Sequence, residues 1–123
     1  MKINTVNGQF SVLKLDSFDG VDLNKEFCFA CKSDREYSLE CRTDDAPERF
    51  IDKKDGFSAM RIDGALDFSL VGILADITSL LAKASVPVFA VSTYDTDYIL
   101  VDSSNLPIAL TALKNSGYEI SID

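Results

Sequence analysis

The chain has 123 residues, 46% hydrophobic and 26% charged, which suits one ordinary domain or two very small ones and excludes a disordered chain. Its 20 acidic and 12 basic residues give a net charge of −8, which disfavours phosphate backbones and anionic membranes as partners. It contains no histidine, so a Ser-His-Asp or Cys-His catalytic arrangement is excluded within the chain.

The amino-terminal half predicts strands joined by polar turns. In chain order we predict a strand over 9–15, a turn-rich segment over 16–25, and a hairpin of two strands over 27–31 and 36–42. The polar run over 43–56 predicts a connector between two halves, with a short helical turn at 48–51. The first residues lack the apolar region of a signal peptide, and no apolar run approaches the length of a membrane span. We therefore expect a soluble cytoplasmic protein.

Three cysteines in this half raise the question of a metal site. Cys28 and Cys31 have C-x-x-C spacing, and Cys41 follows ten residues later. Residues three apart in a strand point to opposite faces, and no histidine is present to supply a fourth ligand. We predict no metal site and interpret the cysteines as buried or half-buried strand residues, with redox chemistry as the minor alternative.

The carboxy-terminal half has a clearer order of elements. A single helical stripe is formed by Leu70, Ile73, Leu74, Ile77, Leu80, Leu81 and Ala84. A second stripe is formed by Leu106, Ala109, Leu110 and Leu113. Strands are predicted over 57–62, 86–93, 97–101 and 118–122. This order is βαββαβ, the split β-α-β pattern of an α+β ferredoxin-like fold.

The ends of these helices carry typical capping residues. Asp67 or Ser69 is predicted to cap the first helix, and Ser103 or Ser104 the second. Gly117 predicts a left-handed residue that ends the second helix.

Two segments of this half resemble a known family. The run over 67–77, DFSLVGILADI, resembles the strand-to-helix loop of ACT domains, where an acidic residue and a glycine open the first helix. The run over 92–101, STYDTDYILV, is similar to the second-to-third-strand segment of a bacterial subgroup related to CASTOR-type arginine sensors. The chain departs from the general ACT pattern at Val71, where many members have proline before the glycine.

The resemblance implies a degenerate ACT-like half over 1–55 and a complete ACT domain over 56–123, with antiparallel sheets and helices on one face. It implies side-by-side packing of ACT units, hence a homodimer or higher homo-oligomer, and regulatory binding of a small ligand, usually an amino acid. It places ligand contacts at the helix start and around the hairpin, on Val71, Gly72, Ile73, Thr93, Tyr94 and Asp97.

Physical chemistry independently supports a site at these positions. The first amide groups of a helix are unpaired donors that suit a ligand carboxylate, and Asp67 and Ser69 stand just before them. Gly72 lets a ligand approach the backbone, and Asp95 or Asp97 offers a carboxylate to an ammonium or guanidinium group. These groups together fit a zwitterionic or cationic amino acid.

Each of these residues also has a structural interpretation. Asp67 and Ser69 suit helix caps, and Gly72 suits close packing of helix on sheet. Asp95 and Asp97 suit turn formers, and a cation held by both together with Asp67 is a minor alternative. Thr93 suits a plain strand residue. Tyr94 and Tyr98 suit packing residues with solvated hydroxyls.

Three functions remain open from the sequence. The first is a non-catalytic regulatory module that binds a small ligand and needs no cofactor. The second is a protein-interaction or structural module whose ligand site is vestigial and whose strand edges and acidic surface engage a partner chain. The third, an enzyme that uses carboxylates such as Asp67 with Asp97, lacks a nucleophile with a base beside it.

Overall fold

A computed structural model describes residues 1–63 and 72–122. The strands of these residues are β1 (Lys2–Leu15), β2 (Phe29–Lys32), β3 (Tyr37–Arg42), β4 (Asp52–Ile62), β5 (Phe89–Ser92), β6 (Asp97–Asp102) and β7 (Glu119–Ile122). The α-helices are α1 (Ile73–Lys83) and α2 (Leu106–Asn115), and 3-10 helices cover Thr43–Asp45 and Ser103–Asn105. None of the described helices is long and apolar enough to cross a membrane.

The chain divides into two compact units. The helical unit comprises Met1–Asn7 and Ser58–Asp123, and the hairpin unit comprises Gly8–Phe57. The long strands β1 and β4 each contribute residues to both units.

The helical unit has the predicted βαββαβ order, from β4 through β7. Its strands lie in the order β7-β1-β4-β6-β5, and β5 and β6 form an antiparallel hairpin. One pair differs from the antiparallel sheet that we predicted, because β7 pairs in parallel with the start of β1. The amide of Asp63 donates to the carbonyl of Lys2 at 2.9 Å and joins the end of β4 to the same strand. The prediction missed this part of β1 because residues 2–7 are largely polar.

Both helices pack their apolar stripes into one core. Alternate residues of a strand share a face, so Met60 and Ile62 of β4 lie together, as do Ile99 and Val101 of β6. The buried residues of this core are Ile3, Met60, Ile62, Ile77, Leu81, Val86, Ile99, Val101, Ala109 and Leu113. Fully burying one such aliphatic side chain stabilises a fold by about 1.5–3 kcal/mol, so this cluster holds both helices on the strands.

The helix caps differ from those predicted. The N-cap residue of α1 is Gly72, and Asp67 and Ser69 lie outside the described residues. The predicted cap of the second helix is wrong, since Asp102 accepts the amide of Ser104 at 2.9 Å and starts a 3-10 turn before α2. At the other end of α2, Gly117 has a φ of 100°, which confirms the predicted left-handed residue.

The hairpin unit contains no α-helix among residues 8–57, all of which the structure describes. Its strands lie in the order β2-β3-β1-β4, with β2-β3 and β1-β3 antiparallel. The buried residues of its core are Leu13, Leu15, Leu39 and Cys41. Phe18, Val21 and Cys28 from the segment between β1 and β2 pack against them. The core of the hairpin unit is thus covered by loop residues, whereas the core of the helical unit is covered by helices.

The predicted connector over 43–56 is wrong in its second part. Residues 43–45 form a 3-10 turn, no helical turn forms at 48–51, and β4 already begins at Asp52. The charged start of β4 pairs with β1, since the amide of Ile51 donates to the carbonyl of Lys14 at 2.8 Å. Charged residues are tolerated there because alternate side chains of a strand face solvent.

Candidate functional site

The nine residues predicted to bind a ligand fall in three places. Asp67, Ser69 and Val71 lie outside the described residues. Gly72 and Ile73 lie at the start of α1. The remaining four, Thr93, Tyr94, Asp95 and Asp97, lie in or beside the turn of the β5-β6 hairpin.

Gly72 opens α1 in the left-handed conformation, with a φ of 82°. Its carbonyl accepts the amide of Asp76 at 2.8 Å, the first bond of the helix. A Cβ atom built on Gly72 would meet none of the described atoms within 4 Å, so its positive φ, and not close packing, accounts for glycine here. Ile73 is half-buried and packs against the core. None of the described atoms would therefore hinder a ligand that approaches the backbone of Gly72.

The first turn of α1 also carries an acidic residue that the sequence did not single out. The hydroxyl of Tyr118, just before β7, donates a hydrogen bond to the carboxylate of Asp76. Burial, the hydrogen bond and the charge of Asp76 raise the pKa of Tyr118 to about 12. The first turn of α1 therefore carries a carboxylate held by Tyr118, a group that attracts positive charge on a ligand.

Thr93 forms the turn between β5 and β6. Its amide donates to the carbonyl of Thr96 at 2.8 Å, and its hydroxyl donates to the same carbonyl at 3.0 Å. The hydroxyl also lies 3.4 Å from the amide of Thr96, which it accepts. The Thr93 side chain is therefore engaged in the turn and is not a plain strand residue.

Two side chains at the tip of this turn reach solvent. Tyr94 is 81% exposed, so the packing role predicted for it is wrong. Asp95 is also exposed. Tyr98 is half-buried beside the Arg61 guanidinium, which lies 5.8 Å from its ring centroid.

Asp97 closes the hairpin opposite Ser92. The Ser92 hydroxyl donates to Oδ1 of Asp97, and the two residues are partners in the strand register. A carboxylate has about four acceptor positions, so this half-buried side chain keeps acceptor capacity beyond the serine bond. Asp97 therefore serves the turn and remains able to bind a cationic group.

Thr96 is the residue of this region that sequence reasoning missed. It is 8% exposed, and its hydroxyl donates to the carbonyl of Ile62 at 2.8 Å. Because Ile62 ends β4, this bond fixes the hairpin turn beside the point where the chain leaves β4 towards α1. No sequence pattern marks Thr96, since threonine is ordinary in exposed turns.

The three cysteines are free thiols in different surroundings. Cys41 is buried, which raises its pKa to about 11, and burial also raises the pKa of Cys28. The prediction for Cys31 is wrong, because this residue at the outer strand β2 is exposed, and Cys28 precedes that strand. In the described ranges no cluster of three or more His, Cys, Asp or Glu residues forms a metal site. The alternative cation site with Asp67 includes a residue outside those ranges.

Comparison with known proteins identifies the fold and the family. A protein from Agrobacterium tumefaciens has a similar structure, with 26% identity, a TM-score of 0.87, and coverage of 99% of this chain and 92% of that one. A Vibrio cholerae protein of unknown function, described as a possible transport protein, follows with 16% identity, a TM-score of 0.75, and coverage of 91% and 86%.

The regulatory subunit of aspartate kinase from Thermus thermophilus, in a ligand-free form, is 8% identical, with a TM-score of 0.68 and coverage of 95% and 97%. Among curated proteins the sequence has no match. The family model of the ACT domain matches residues 52–115, more than half of the chain. The predicted family is thereby confirmed, and the chain belongs to the ACT domain family.

Proposed function

We propose that this chain is a non-catalytic regulatory module that binds an amino acid beside the β5-β6 turn of the helical unit. ACT domains are regulatory modules that bind small ligands. The observation that carries the proposal is the buried bond from Thr96 to Ile62, which fixes the turn at the exit of β4. Along the sequence, the next described element after that exit is α1 with its N-cap residue Gly72. A ligand held here would influence three elements of the unit at once.

The charges of this region favour a ligand with a positive group. Asp95 is exposed, Asp97 keeps free acceptor capacity, and Asp76 stands in the first turn of α1. The amides at the start of α1 suit the carboxylate of the same ligand. A zwitterionic or cationic amino acid satisfies both sets of groups, and the net charge of −8 attracts a cationic amino acid from a distance.

A catalytic role has little support in the described residues. One serine–carboxylate contact lies in the hairpin unit, where the hydroxyl of Ser11 donates to Asp55 at 2.5 Å and contacts the hydroxyl of Thr43 at 2.8 Å. Ser11 is 0% exposed, so a substrate has no access to it. We interpret this group as a structural polar cluster.

We further propose that the hairpin unit is a degenerate ACT-like half that accompanies the complete one. Its strand order β4-β1-β3-β2 is that of a βαββαβ unit whose helices have been replaced by loops. The half predicted over 1–55 has other bounds than the hairpin unit, which comprises Gly8–Phe57, whereas Met1–Asn7 belong to the helical unit. Kinship with CASTOR-type arginine sensors and a cytoplasmic location remain predictions.

The alternative function is a protein-interaction module with a vestigial ligand site. The observation that favours it is the outer strand β5, which pairs with β6 on one side. Residues 85–94 contain no charged side chain, and Val88 and Phe89 are 37% and 36% exposed. Outer strands without charges pair readily with another strand, in a homo-oligomer or with a partner chain.

A binding screen with the full chain separates the two functions. We would measure the melting temperature with each of the twenty standard amino acids and confirm any shift by calorimetry. A ligand at about 100 times its dissociation constant stabilises the folded state by about 2.7 kcal/mol, so a true ligand raises the melting temperature clearly. If none of the twenty amino acids raises the melting temperature of the folded protein, the result would contradict ligand binding and favour the interaction module.

Asp97→Asn then tests the position of the site. This substitution removes the charge but keeps an oxygen that accepts the Ser92 hydroxyl, so the hairpin is preserved. We expect it to abolish the shift given by a cationic or zwitterionic ligand. The matched control is Asp34→Asn in the turn of the β2-β3 hairpin, which should leave the shift unchanged. An unchanged shift with Asp97→Asn would place the ligand elsewhere.

A further inference from the structure

The hairpin unit places two of its thiols opposite each other on neighbouring strands. β2 and β3 pair antiparallel, and the ladder ends with Phe29 opposite Glu40. Continuing the same register by one residue sets Cys28 opposite Cys41. Cys28 also packs against the buried core to which Cys41 belongs. Register and packing thus bring these two thiols together.

The next pair shows that the alignment continues past the end of β2. Phe27 and Arg42 follow the cysteines in this register, and Cζ of Arg42 lies 4.8 Å from the ring centroid of Phe27. Phe27 has a φ of 56°, which is uncommon for a residue other than glycine. Its ring also packs edge-to-face on Phe10, with the centroids 5.9 Å apart. These contacts fix the backbone immediately before Cys28.

The hydrogen bonds of the hairpin identify which kind of pair the cysteines form. The amide of Ser33 donates to the carbonyl of Glu36 at 2.9 Å, so these two residues are a hydrogen-bonded pair. Bonded and non-bonded pairs alternate along an antiparallel ladder, and the cysteines lie five pairs further on, at a non-bonded position. The Cα atoms of a non-bonded pair are about 4.5 Å apart. Disulfides span Cα separations from about 4.4 to about 6.8 Å, so this pair suits one.

Packing does not by itself require thiols at these two positions. The β5-β6 ladder ends with Phe89 opposite Leu100, so its next pair in register is Val88 and Val101. Val101 is 0% exposed, and valine fills in the helical unit the place that Cys41 fills in the hairpin unit. All three cysteines of the chain lie in the hairpin unit. The paired thiols therefore add a chemistry that the fold of such a hairpin does not need.

We propose that Cys28 and Cys41 form a redox site, at which a small-molecule disulfide such as oxidised glutathione converts the two thiols into an intramolecular disulfide. Cys28 is half-buried and Cys41 is 2% exposed, so Cys28 reacts first. Its thiolate attacks one sulfur of the small-molecule disulfide, whose other half leaves as a thiolate. The Cys41 thiolate then attacks the Cys28 sulfur and expels the second half. Two protein thiols are oxidised, the small-molecule disulfide is reduced to two thiols, and both protons pass to the leaving thiolates.

The new bond would tie the segment over 16–28 to β3. Phe18 and Val21 of this segment cover the core of the hairpin unit, and Cys28 is its last residue before β2. In the oxidised form a covalent bond joins the end of this cover to the core beneath it, so oxidation stabilises the cover. The site lies in the hairpin unit and needs no amino-acid ligand, so it goes beyond the proposed function.

Equilibration of the full chain with reduced and oxidised glutathione, followed by intact-mass spectrometry, tests this site. Burial raises the pKa of both thiols and the thiolate is the attacking form, so the reaction is followed for hours at a pH of about 8. Cys31→Ser keeps the proposed pair and removes the third, exposed thiol. We expect this variant to lose the mass of two hydrogen atoms without adding glutathione. Its oxidised form should melt about 5 °C or more above its reduced form, because the bond restricts the unfolded chain.

Cys28→Ser is the matched control, since it keeps the other two thiols. Cys31 is three positions from Cys28 and points to the opposite face of β2, so it cannot replace Cys28 opposite Cys41. The control should add glutathione at Cys31 and form no intramolecular bond. Circular dichroism of the reduced variants confirms the native fold. If Cys28→Ser fails to fold, Cys28→Val takes its place, since valine occupies the corresponding position of the helical unit.

Three results would overturn the proposal. The first is a Cys31→Ser chain that stays reduced or only adds glutathione, and the second is an intramolecular bond that forms as readily in the Cys28→Ser control. The third is a disulfide that lowers the melting temperature, because the bond would then not fit the native hairpin. Amino-acid binding is measured on the reduced chain, so its failure leaves this result unaffected.

Discussion

The two units repeat one arrangement of a hairpin followed by a 3-10 turn. In each, a four-residue strand, a four-residue turn, a six-residue strand and a three-residue 3-10 helix follow one another. The corresponding elements begin at Phe29 and Phe89, at Tyr37 and Asp97, and at Thr43 and Ser103, so equivalent residues lie 60 positions apart. Contacts that occur at equivalent residues of both units are therefore required by the hairpin itself. Contacts that occur only in the helical unit need another explanation.

Some hydrogen bonds occur in the turns of both hairpins. The amide of Ser33 donates to the carbonyl of Glu36 at 2.9 Å, as that of Thr93 does to Thr96 at 2.8 Å. In both turns the hydroxyl of the first residue accepts the amide of the fourth. The hydroxyl of Thr93 therefore needs no ligand to explain it. Glu36 is exposed, whereas Thr96 is buried and bonded to Ile62, so this anchor is specific to the helical unit.

The strands closing the two turns also differ in their chemistry. In the hairpin unit the closing pair is Lys32 and Tyr37, with the ammonium 5.0 Å from the ring centroid. In the helical unit the same place holds Ser92 and Asp97, joined by a hydrogen bond. Either contact closes a hairpin, so a carboxylate is not required for folding. Its presence at Asp97 supports the ligand site that we propose.

The largest predicted change in stability concerns the residues that cover the two cores, helices in the helical unit and loops in the hairpin unit. Ile77 of α1 is 0% exposed, and Ile77→Ala leaves a cavity that we expect to cost about 2–5 kcal/mol. Phe18, which covers the hairpin unit, is half-buried and packs edge-to-face on Tyr37 with ring centroids 5.1 Å apart. Phe18→Ala should cost less, about 1–2 kcal/mol, because the Phe18 side chain is itself only half-buried.

Urea unfolding followed by circular dichroism measures both losses of stability. Equal losses would mean that the loop cover of the hairpin unit is as tightly packed as the helix cover. Two separate transitions would show that the units unfold independently. The loss of stability in each variant would then be measured on the transition of the unit that carries the substitution.

A smaller effect is expected from the anchor at Thr96. Thr96→Val keeps the shape of the side chain but leaves the carbonyl of Ile62 without this donor, which should cost about 1–2 kcal/mol. The matched control is Glu36→Val at the equivalent, exposed position, where a change within about 0.5 kcal/mol is expected. Urea midpoints of the two variants give the comparison. Equal midpoints would contradict a structural role of the buried bond.

Much of the fold was predictable because its elements have clear periodicity. The stripes of α1 and α2 and the left-handed Gly117 follow directly from local sequence. The missed parts are polar stretches that form strands, the start of β1 over residues 2–8 and the start of β4 over 52–56. Their pairing depends on strands distant in sequence, which a local pattern does not encode.

The candidate site was predictable only as a region. Asp95 is exposed, as expected of a residue in a turn, whereas Tyr94 is exposed although it was predicted to pack, and Gly72 stands at the start of α1. The bond that organises the region joins Thr96 to Ile62, which are 34 positions apart. A contact between residues so far apart in the chain depends on the tertiary structure and cannot be predicted from a local sequence pattern.

The smallest effect concerns one buried position at which the two units differ in charge. Glu40 is 4% exposed and its equivalent, Leu100, is 0% exposed. Burial raises the pKa of Glu40, the hydrogen bond from Ser38 at 2.8 Å lowers it, and the charge of Glu36 adds to the increase. The folded state therefore retains a proton that the unfolded state releases. Stability from this group is present at acidic pH and is lost as pH rises from the usual value of 4.5 through the raised pKa.

Glu40→Gln tests this difference directly. Glutamine keeps an oxygen for the Ser38 hydroxyl and removes the buried charge, so we expect about 1 kcal/mol of added stability at pH 7. The variant should also lose the decline in stability above pH 4.5, measured by thermal unfolding across a series of buffers. Glu36→Gln, at an exposed position four residues earlier, should leave most of that decline in place. If Glu40→Gln destabilises the protein at pH 7, the fold stabilises the buried carboxylate, and the charge at Glu40 is then no cost to the hairpin unit.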